Sequence, residues 1–267
     1  MRSSSNPAFR NLPTGGGYGG YAGFGQPEQA GYQQAPPPLT SERPMTIDDV
    51  VTKTAITLGV VAVGAVATFV TGLYALAFPA AIVGLVLALI IMFKRNPSPP
   101  LVIAYAVAEG IFLGGISYII GRALDNVVPG NGIAVIGQAV IGTLGVFLGM
   151  LVVYKTGAVR VTPKFTKWIT GAIIGVGVLM LFNFILSFFG SGEGLGIRSG
   201  GPIAIIFSLV CIGLAAFSFL IDFDAADQAI RAGVPAKYAW QIAFGLTVTL
   251  VWLYTEILRL LSYFNSD

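Results

Sequence analysis

Carboxylates are the residues whose chemistry stands out in this chain, because they are few and lie next to or inside long apolar runs. Asp222, Asp224 and Asp227 directly follow one such run, and only 12 of the 267 residues are Asp or Glu. A charge at a bilayer is costly unless water, a cation or a partner group receives it. We therefore expect Asp222 or Asp224 to have a function, and treat Ile221–Asp227 as the first candidate site.

Helix geometry places the three aspartates on two different faces of a helix. Asp227 and Arg231 are four residues apart, so they are expected to pair on one face of a helix that continues beyond the apolar run. Asp224 shares that face, whereas Asp222 points elsewhere. Asp227 is thus expected to be structural, which leaves Asp222 and Asp224 as candidates for binding a cation or a proton.

Two glutamates lie farther along the predicted path. Glu109 is near the middle of an apolar segment, where a charged side chain costs about 3 kcal/mol. It is either a neutral, hydrogen-bonded structural group or a proton or cation site. Glu256 is expected to pair with Arg259, three residues on, and to extend outwards with it. The acids thus form a series that begins with the aspartates on the inner side, continues at Glu109 near the middle and ends at Glu256 toward the outer side. Such a series is typical of a cation or proton path.

Composition excludes several classes of function. The chain is 55% hydrophobic and 10% charged, against about 25% charged in soluble domains, so it belongs with membrane proteins. It has no His and a single Cys, and no Ser-His, Cys-His or metal-ligand set accompanies the acids. We therefore expect no enzymatic activity, no cofactor and no transition-metal site. No basic stretch is dense enough to bind nucleic acid.

The apolar segments predict an all-α polytopic fold with seven transmembrane helices. A capping box formed by Thr46 and Asp49 begins a lead-in helix that runs into the first span. The spans are expected at about Thr54–Leu76, Phe78–Phe93, Leu101–Gly121, Ile133–Tyr154, Trp168–Phe189, Pro202–Ile221 and Tyr238–Phe264, with the sixth helix continuing to Ala232. Residues 1–45, rich in Gly, Tyr, Gln and Pro, are expected to form a disordered cytosolic tail before the seven-helix domain, 46–267.

Basic residues predict the orientation. Of the 15 Lys and Arg residues, all but Arg122, Arg198 and Arg259 fall on one side of the predicted bundle. The positive-inside rule therefore places the N-terminus and the aspartate run in the cytosol and the C-terminus outside, as in a multi-pass protein of the inner cell membrane. Glycines recur in the spans, for example Gly145 and Gly171, and are expected to allow close helix packing.

Several motifs resemble one known family. Residues 109–117 read Glu-Gly-x-x-Leu-Gly-x-Ile-Ser, an acidic motif closes the sixth span, and residues 256–261 end the last helix as Glu-Ile-Leu-Arg-Leu-Leu. Residues 145–155 and 161–165 match in the same way. In this order the motifs resemble the bacterial branch of the Bax inhibitor-1 family, over about residues 46–264.

The resemblance implies a fold and a mechanism. The fold has two three-helix layers around a central C-terminal helix, and the activity is a calcium leak controlled by pH through two aspartates. One aspartate ends the sixth helix; Asp224 matches that motif best, although Asp222 can also take the role. The second belongs to the last helix, where this chain has Thr249, and a basic residue of some members has no counterpart. Asp222 and Asp224 are then expected to pair with each other or with Glu109.

Two functions remain open. The first is a pH-sensitive leak for Ca²⁺ or another cation in a protein embedded in the lipid bilayer. Ca²⁺ or H⁺ would be the transported ion, and carboxylates on the inner side would form the gate. The second is a non-transporting scaffold that regulates a membrane protease or a stress-response partner. This alternative is motivated by the tail, which has no role in conduction and is available to a membrane-protein partner.

Overall fold

A computed structural model describes residues 43–94, 98–189 and 194–265 of the chain. Within these ranges seven helices are long and apolar enough to cross a bilayer, which confirms the predicted number of spans. The helices are α1 (Ile47–Thr71), α2 (Ala77–Phe93), α3 (Pro99–Val127), α4 (Asn131–Thr156), α5 (Pro163–Phe189), α6 (Gly201–Arg231) and α7 (Ala239–Phe264). Short 3₁₀ helices precede α2 and α7.

The start of α1 follows from local chemistry. The Asp49 amide donates to the Thr46 hydroxyl at 3.3 Å, and the Asp49 carboxylate accepts from the Thr46 amide at 3.0 Å. This is the predicted capping box, and it satisfies amides that no helical carbonyl can reach. The predicted lead-in does run into the first span, because α1 is unbroken from Ile47 to Thr71. The helix ends at Gly72, whose φ is 69°, which is earlier than the predicted end at Leu76.

The predicted extension of α6 is confirmed. The helix continues to Arg231, and Gly233, with a φ of 67°, reverses the chain direction. Because Asp227 pairs with Arg231 at 2.8 Å, the last turns carry a compensated charge where they leave the apolar run. The short turn that follows makes α6 and α7 adjacent antiparallel neighbours, which determines the residues that face the candidate site.

Helix α7 has more buried residues than any other described helix and packs against α1, α3, α4 and α6. In contrast, the apolar stretch of α5 has no buried residue, and its main neighbour is α6. This arrangement agrees with a strongly buried C-terminal helix. Enclosure of α7 by all six other helices stays a prediction.

Close packing occurs at other glycines than expected. A methyl group at Gly110 would lie 2.7 Å from the Val61 carbonyl oxygen, so α1 and α3 approach each other because Gly110 has no side chain. Gly145 and Gly171 have no described atom within 4 Å of such a methyl group. The packing role proposed for these two was therefore wrong within the described chain, where α4 and α5 turn them to open space.

The chain before α1 is fastened to the α6–α7 turn. The Met45 amide donates to the Val234 carbonyl at 2.8 Å, and the Ala236 amide donates to the Arg43 carbonyl at 3.0 Å. We call this antiparallel contact, centred on Pro44 and Pro235, the strap. Residues 43–45 thus hold a defined place. Residues 1–42, the rest of the predicted tail, lie outside the described residues.

Candidate functional site

Asp222 lies in the contact between α6 and α7. Its side chain is buried, with 3% of the residue exposed, and its Oδ2 accepts a hydrogen bond of 2.7 Å from the Thr249 hydroxyl. The structure therefore brings together one residue of the aspartate run and the position in α7 where the resemblance implies a second aspartate. We call this pair the Asp222–Thr249 contact.

The depth of this contact follows from helix geometry. Asp222 is nine residues before the end of α6 at Arg231, and Thr249 is ten residues after the start of α7 at Ala239. At 1.5 Å per residue both lie about 14–15 Å from the α6–α7 turn. Asp222 is consequently well inside the helix packing, deeper than the inner side on which the sequence analysis placed it.

The Thr249 hydroxyl has two acceptors within reach. Besides Asp222 at 2.7 Å, the carbonyl of Gly245, one turn earlier on α7, lies 3.2 Å away. A hydroxyl has one proton to donate, and the shorter distance favours the carboxylate. The backbone carbonyl gives the hydroxyl a second acceptor when the α6–α7 contact opens, so Thr249 can release Asp222 without being left unbonded.

Asp224 and Asp227 share one face of α6, as helix geometry predicts, and that face meets α4. Asp224 accepts a 2.5 Å hydrogen bond from the Gln228 amide, and Asp227 pairs with Arg231. Both interact with Tyr154 on α4. Asp224 thus lies on the α4 side of α6, while Asp222 makes the contact with Thr249.

Glu109 lies between α2 and α3. It is partly buried, and its Oε1 would be 3.0 Å from a methyl group placed on Gly84 of α2. Tyr105, one turn earlier on α3, is its polar neighbour and packs edge-on against Phe244 of α7 with ring centroids 4.9 Å apart. The absence of a side chain at Gly84 leaves room for the Glu109 carboxylate.

Glu256 is buried, with 2% of the residue exposed, and it has two cationic partners. Arg259 lies 3.5 Å away on the same helix, so the predicted pair is present. The shorter bond, 2.7 Å, comes from Arg198 in the segment between α5 and α6. The expectation that Glu256 extends outwards with Arg259 was wrong, because Arg198 holds the carboxylate inside.

The carboxylates do not share one cavity among those found in the described chain. Glu256 lines a cavity of about 690 Å³ near the end of α7, and Asp227 lines another of about 770 Å³ between α1, α4 and α6. Glu109, Asp222 and Asp224 line neither of the two. Neither of these two cavities joins the five candidate acids.

Sequence reasoning missed two parts of this arrangement. Arg198 is 58 residues from Glu256, in a Gly-rich segment, and only its charge singled it out. The Ser117 hydroxyl of α3 lies 2.7 Å from the Tyr254 hydroxyl of α7, a contact that the sequence analysis did not predict. The matching hydroxyl groups on α3 and α7 were the available signal, and spacing alone cannot identify pairs between distant segments.

No three His, Cys, Asp or Glu side chains come together as metal ligands in the described part of the chain. Each candidate acid lies beside a cation, a hydroxyl or an amide group. That arrangement suits transient contact with a proton or a hard cation, because both bind carboxylate oxygens.

Seven helices of membrane-spanning length, with buried carboxylates between them, define the class as a multi-pass membrane protein. The sequence matches the Bax inhibitor 1 like family over residues 6–266, and the chain belongs to that family. The match confirms the resemblance and begins earlier in the chain than residue 46. A search of curated proteins finds no match.

Proposed function

We propose that the protein is a pH-sensitive leak for Ca²⁺ or a similar cation, and that the Asp222–Thr249 contact is its gate. The observation that carries the proposal is a buried carboxylate held by a hydroxyl from the neighbouring helix, about midway along α7. Family membership supports the assignment. Separation of α6 from α7 would expose the carboxylate to water and to a cation.

The gate has a simple physical basis. An ionised Asp222 accepts a hydrogen bond from the Thr249 hydroxyl and also attracts a cation, whereas a protonated Asp222 loses most of its attraction for the cation. Protonation therefore alters both the contact between α6 and α7 and the affinity for the passing ion. Asp224 and Glu109 are proposed as further binding positions, on the α4 side and the α2 side of the bundle respectively.

The test is calcium efflux from liposomes that contain the purified full-length protein, measured across pH. Asp222→Asn keeps the size and the ability to accept from Thr249 but removes the titrating carboxyl, so the pH dependence is expected to flatten. Asp227→Asn is the matched control, because Asp227 is 40% exposed and paired with Arg231. Its pH profile is expected to follow the unmodified protein.

Two results would contradict the proposal. One is the absence of efflux at every pH with protein that is correctly folded in the liposomes. The other is an Asp222→Asn profile that coincides with the unmodified protein and with Asp227→Asn.

A further inference from the structure

The cavity near the end of α7 has a polar wall and lies apart from the proposed gate. It measures about 690 Å³ and lies between the last turns of α5, the second half of α7 and the segment before α6. Aromatic rings, among them Trp252, cover one part of its wall. Its polar lining includes Arg198, Glu256, Arg259, Thr255 and Asn183. The cavity therefore offers polar and apolar walls side by side.

Charge in this cavity favours an anion. Among the described lining residues Arg198 and Arg259 are positive and Glu256 is negative, which leaves one net positive charge. Arg198 is held in place: its Nη2 donates to Glu256 at 2.7 Å, its Nε donates to the Met180 sulfur at 3.0 Å, and its guanidinium lies 5.5 Å from the centroid of the Phe207 ring. A fixed guanidinium is a strong donor for a phosphate or a carboxylate oxygen.

Two buried atoms of the site lack a partner among the described residues. They are Nη1 of Arg198, a donor, and Oε2 of Glu256, an acceptor on a side chain that is only 2% exposed. Buried polar groups are nearly always hydrogen-bonded, and leaving them unbonded is costly. Both residues line the cavity, so a ligand with an acceptor oxygen for Arg198 and an N–H or O–H donor for Glu256 would use this hydrogen-bonding capacity once the side chains move to expose it.

We propose that this cavity binds a phosphodiester headgroup that carries a hydroxyl donor, of the phosphoglycerol type. The diester has a single negative charge, which balances the net charge of the cavity, and its oxygens can accept from Arg198 and Arg259. The glycerol hydroxyl donates to Glu256, and the aromatic wall contacts the lipid beyond the phosphate. The proposal is independent of the leak and of Asp222.

Native mass spectrometry of the full-length protein in detergent provides the test. Phosphatidylglycerol is added in competition with phosphatidylcholine, whose headgroup has the phosphate but no hydrogen-bond donor and no net charge. About tenfold preferential retention of phosphatidylglycerol is expected, and phosphatidylethanolamine, which has a donor but no net charge, should fall between them. Equal retention of all three lipids would mean a water-filled cavity and would overturn the proposal.

A second arm identifies the source of the headgroup. Glycerophosphoglycerol, the same phosphodiester without acyl chains, is added as a competitor. The membrane lipid is the ligand if the competitor fails to displace it at an equal concentration, because the apolar wall then contributes to binding. Displacement at an equal concentration would assign the site to a soluble phosphodiester of the same chemistry.

Variants link binding to the cavity. Arg198→Gln is expected to abolish the preference for phosphatidylglycerol. Arg259→Gln changes a more exposed arginine and should reduce the preference severalfold. This second variant replaces the first if Arg198→Gln does not fold. Arg122→Gln is the matched control, because Arg122 is an exposed arginine of α3 outside the cavity. Unchanged preference in Arg259→Gln, or equal loss in Arg122→Gln, would contradict the assignment.

Discussion

Two carboxylates that contact or belong to α7 are almost equally buried and yet differ in their donors. Asp222 is 3% exposed and accepts from the Thr249 hydroxyl, whereas Glu256 is 2% exposed and accepts from two guanidinium groups. Thr249 and Glu256 are seven residues apart, which is two helical turns or about 10 Å along α7. Equal burial on one helix therefore does not imply equal chemistry.

The donors described for the two carboxylates differ in strength. A hydrogen bond from a charged donor is roughly twice as strong as one between neutral groups, and a guanidinium also supplies Coulomb attraction. At Glu256 this joins the segment before α6 to α7 through an ion pair. At Asp222 a hydroxyl joins α6 to α7 and can transfer its bond to the Gly245 carbonyl. The ion pair at Glu256 therefore suits a fixed site.

The largest effect is expected for Arg198→Met. It removes the 2.7 Å partner of Glu256 and leaves the buried carboxylate with Arg259 at 3.5 Å, so the free energy of unfolding should fall by about 3 kcal/mol. Unfolding of the detergent-purified protein by heat or denaturant, followed by intrinsic fluorescence, measures the loss. Arg122→Met is the control and should change stability by about 0.5 kcal/mol or less. Equal losses would remove the distinction between the two carboxylates.

Thr249→Val tests the other side of the comparison. It removes the hydroxyl donor to Asp222 without changing the side-chain shape, and should lower the free energy of unfolding by about 2 kcal/mol. Thr247→Val is a matched control on the same helix, because the buried Thr247 hydroxyl bonds only to the Ala243 carbonyl of its own helix among the described residues. The same unfolding measurement applies, and a larger loss in the control than in Thr249→Val would contradict the role of the interhelical bond.

Thr249→Asp supplies the second acid that the family resemblance implies. Two carboxylates at this distance cannot both be ionised without repulsion, so the pair takes up a proton more readily as pH falls. The pH at which calcium efflux changes is expected to rise by about one unit, equivalent to about 1.4 kcal/mol. Thr249→Asn has the same size without the charge and should show no such rise. Coincident pH profiles for the Asp and Asn variants would contradict a gate at this contact.

The smallest effect is expected at the ion pair beside the strap. Arg43 binds both oxygens of Asp49, at 2.6 and 2.8 Å, but its side chain is 64% exposed, so water and salt screen the attraction. Arg43→Ala should therefore reduce the free energy of unfolding far less than Arg198→Met does. The unfolding of Arg43→Ala is measured under the same conditions as that of Arg198→Met. A loss of stability as large as that of Arg198→Met would contradict the expected difference between exposed and buried ion pairs.

Local spacing explains what the sequence could predict. The seven spans follow from apolar length, the start of α1 follows from Thr46 and Asp49, and the end of α6 follows from the pairing of Asp227 with Arg231. Each depends on residues a few positions apart, where helix geometry determines the distances. The resemblance also drew attention to Thr249 before any contact was known.

Pairing between distant segments was beyond that reasoning. The sequence offered Asp224 as the better motif match, but which side of α6 faces α7 depends on how the two helices rotate when they pack. Arg198 lies in a segment without periodic structure, so no spacing rule linked it to Glu256. The same limit explains the wrong prediction for Gly171, because the space around it depends on which helix α5 packs against.

The strap has a consequence for the time course of biosynthesis. Pro44 and Pro235 lie 191 positions apart in the chain, so at about 5–20 residues per second the ribosome finishes the second partner about 10–40 s after the first. Throughout that interval the amide of Met45 and the carbonyl of Arg43 have no strap partner and must stay hydrated at the membrane surface. Closure of the strap is therefore a late event, which can occur only after α6 has been made and the turn towards α7 has emerged.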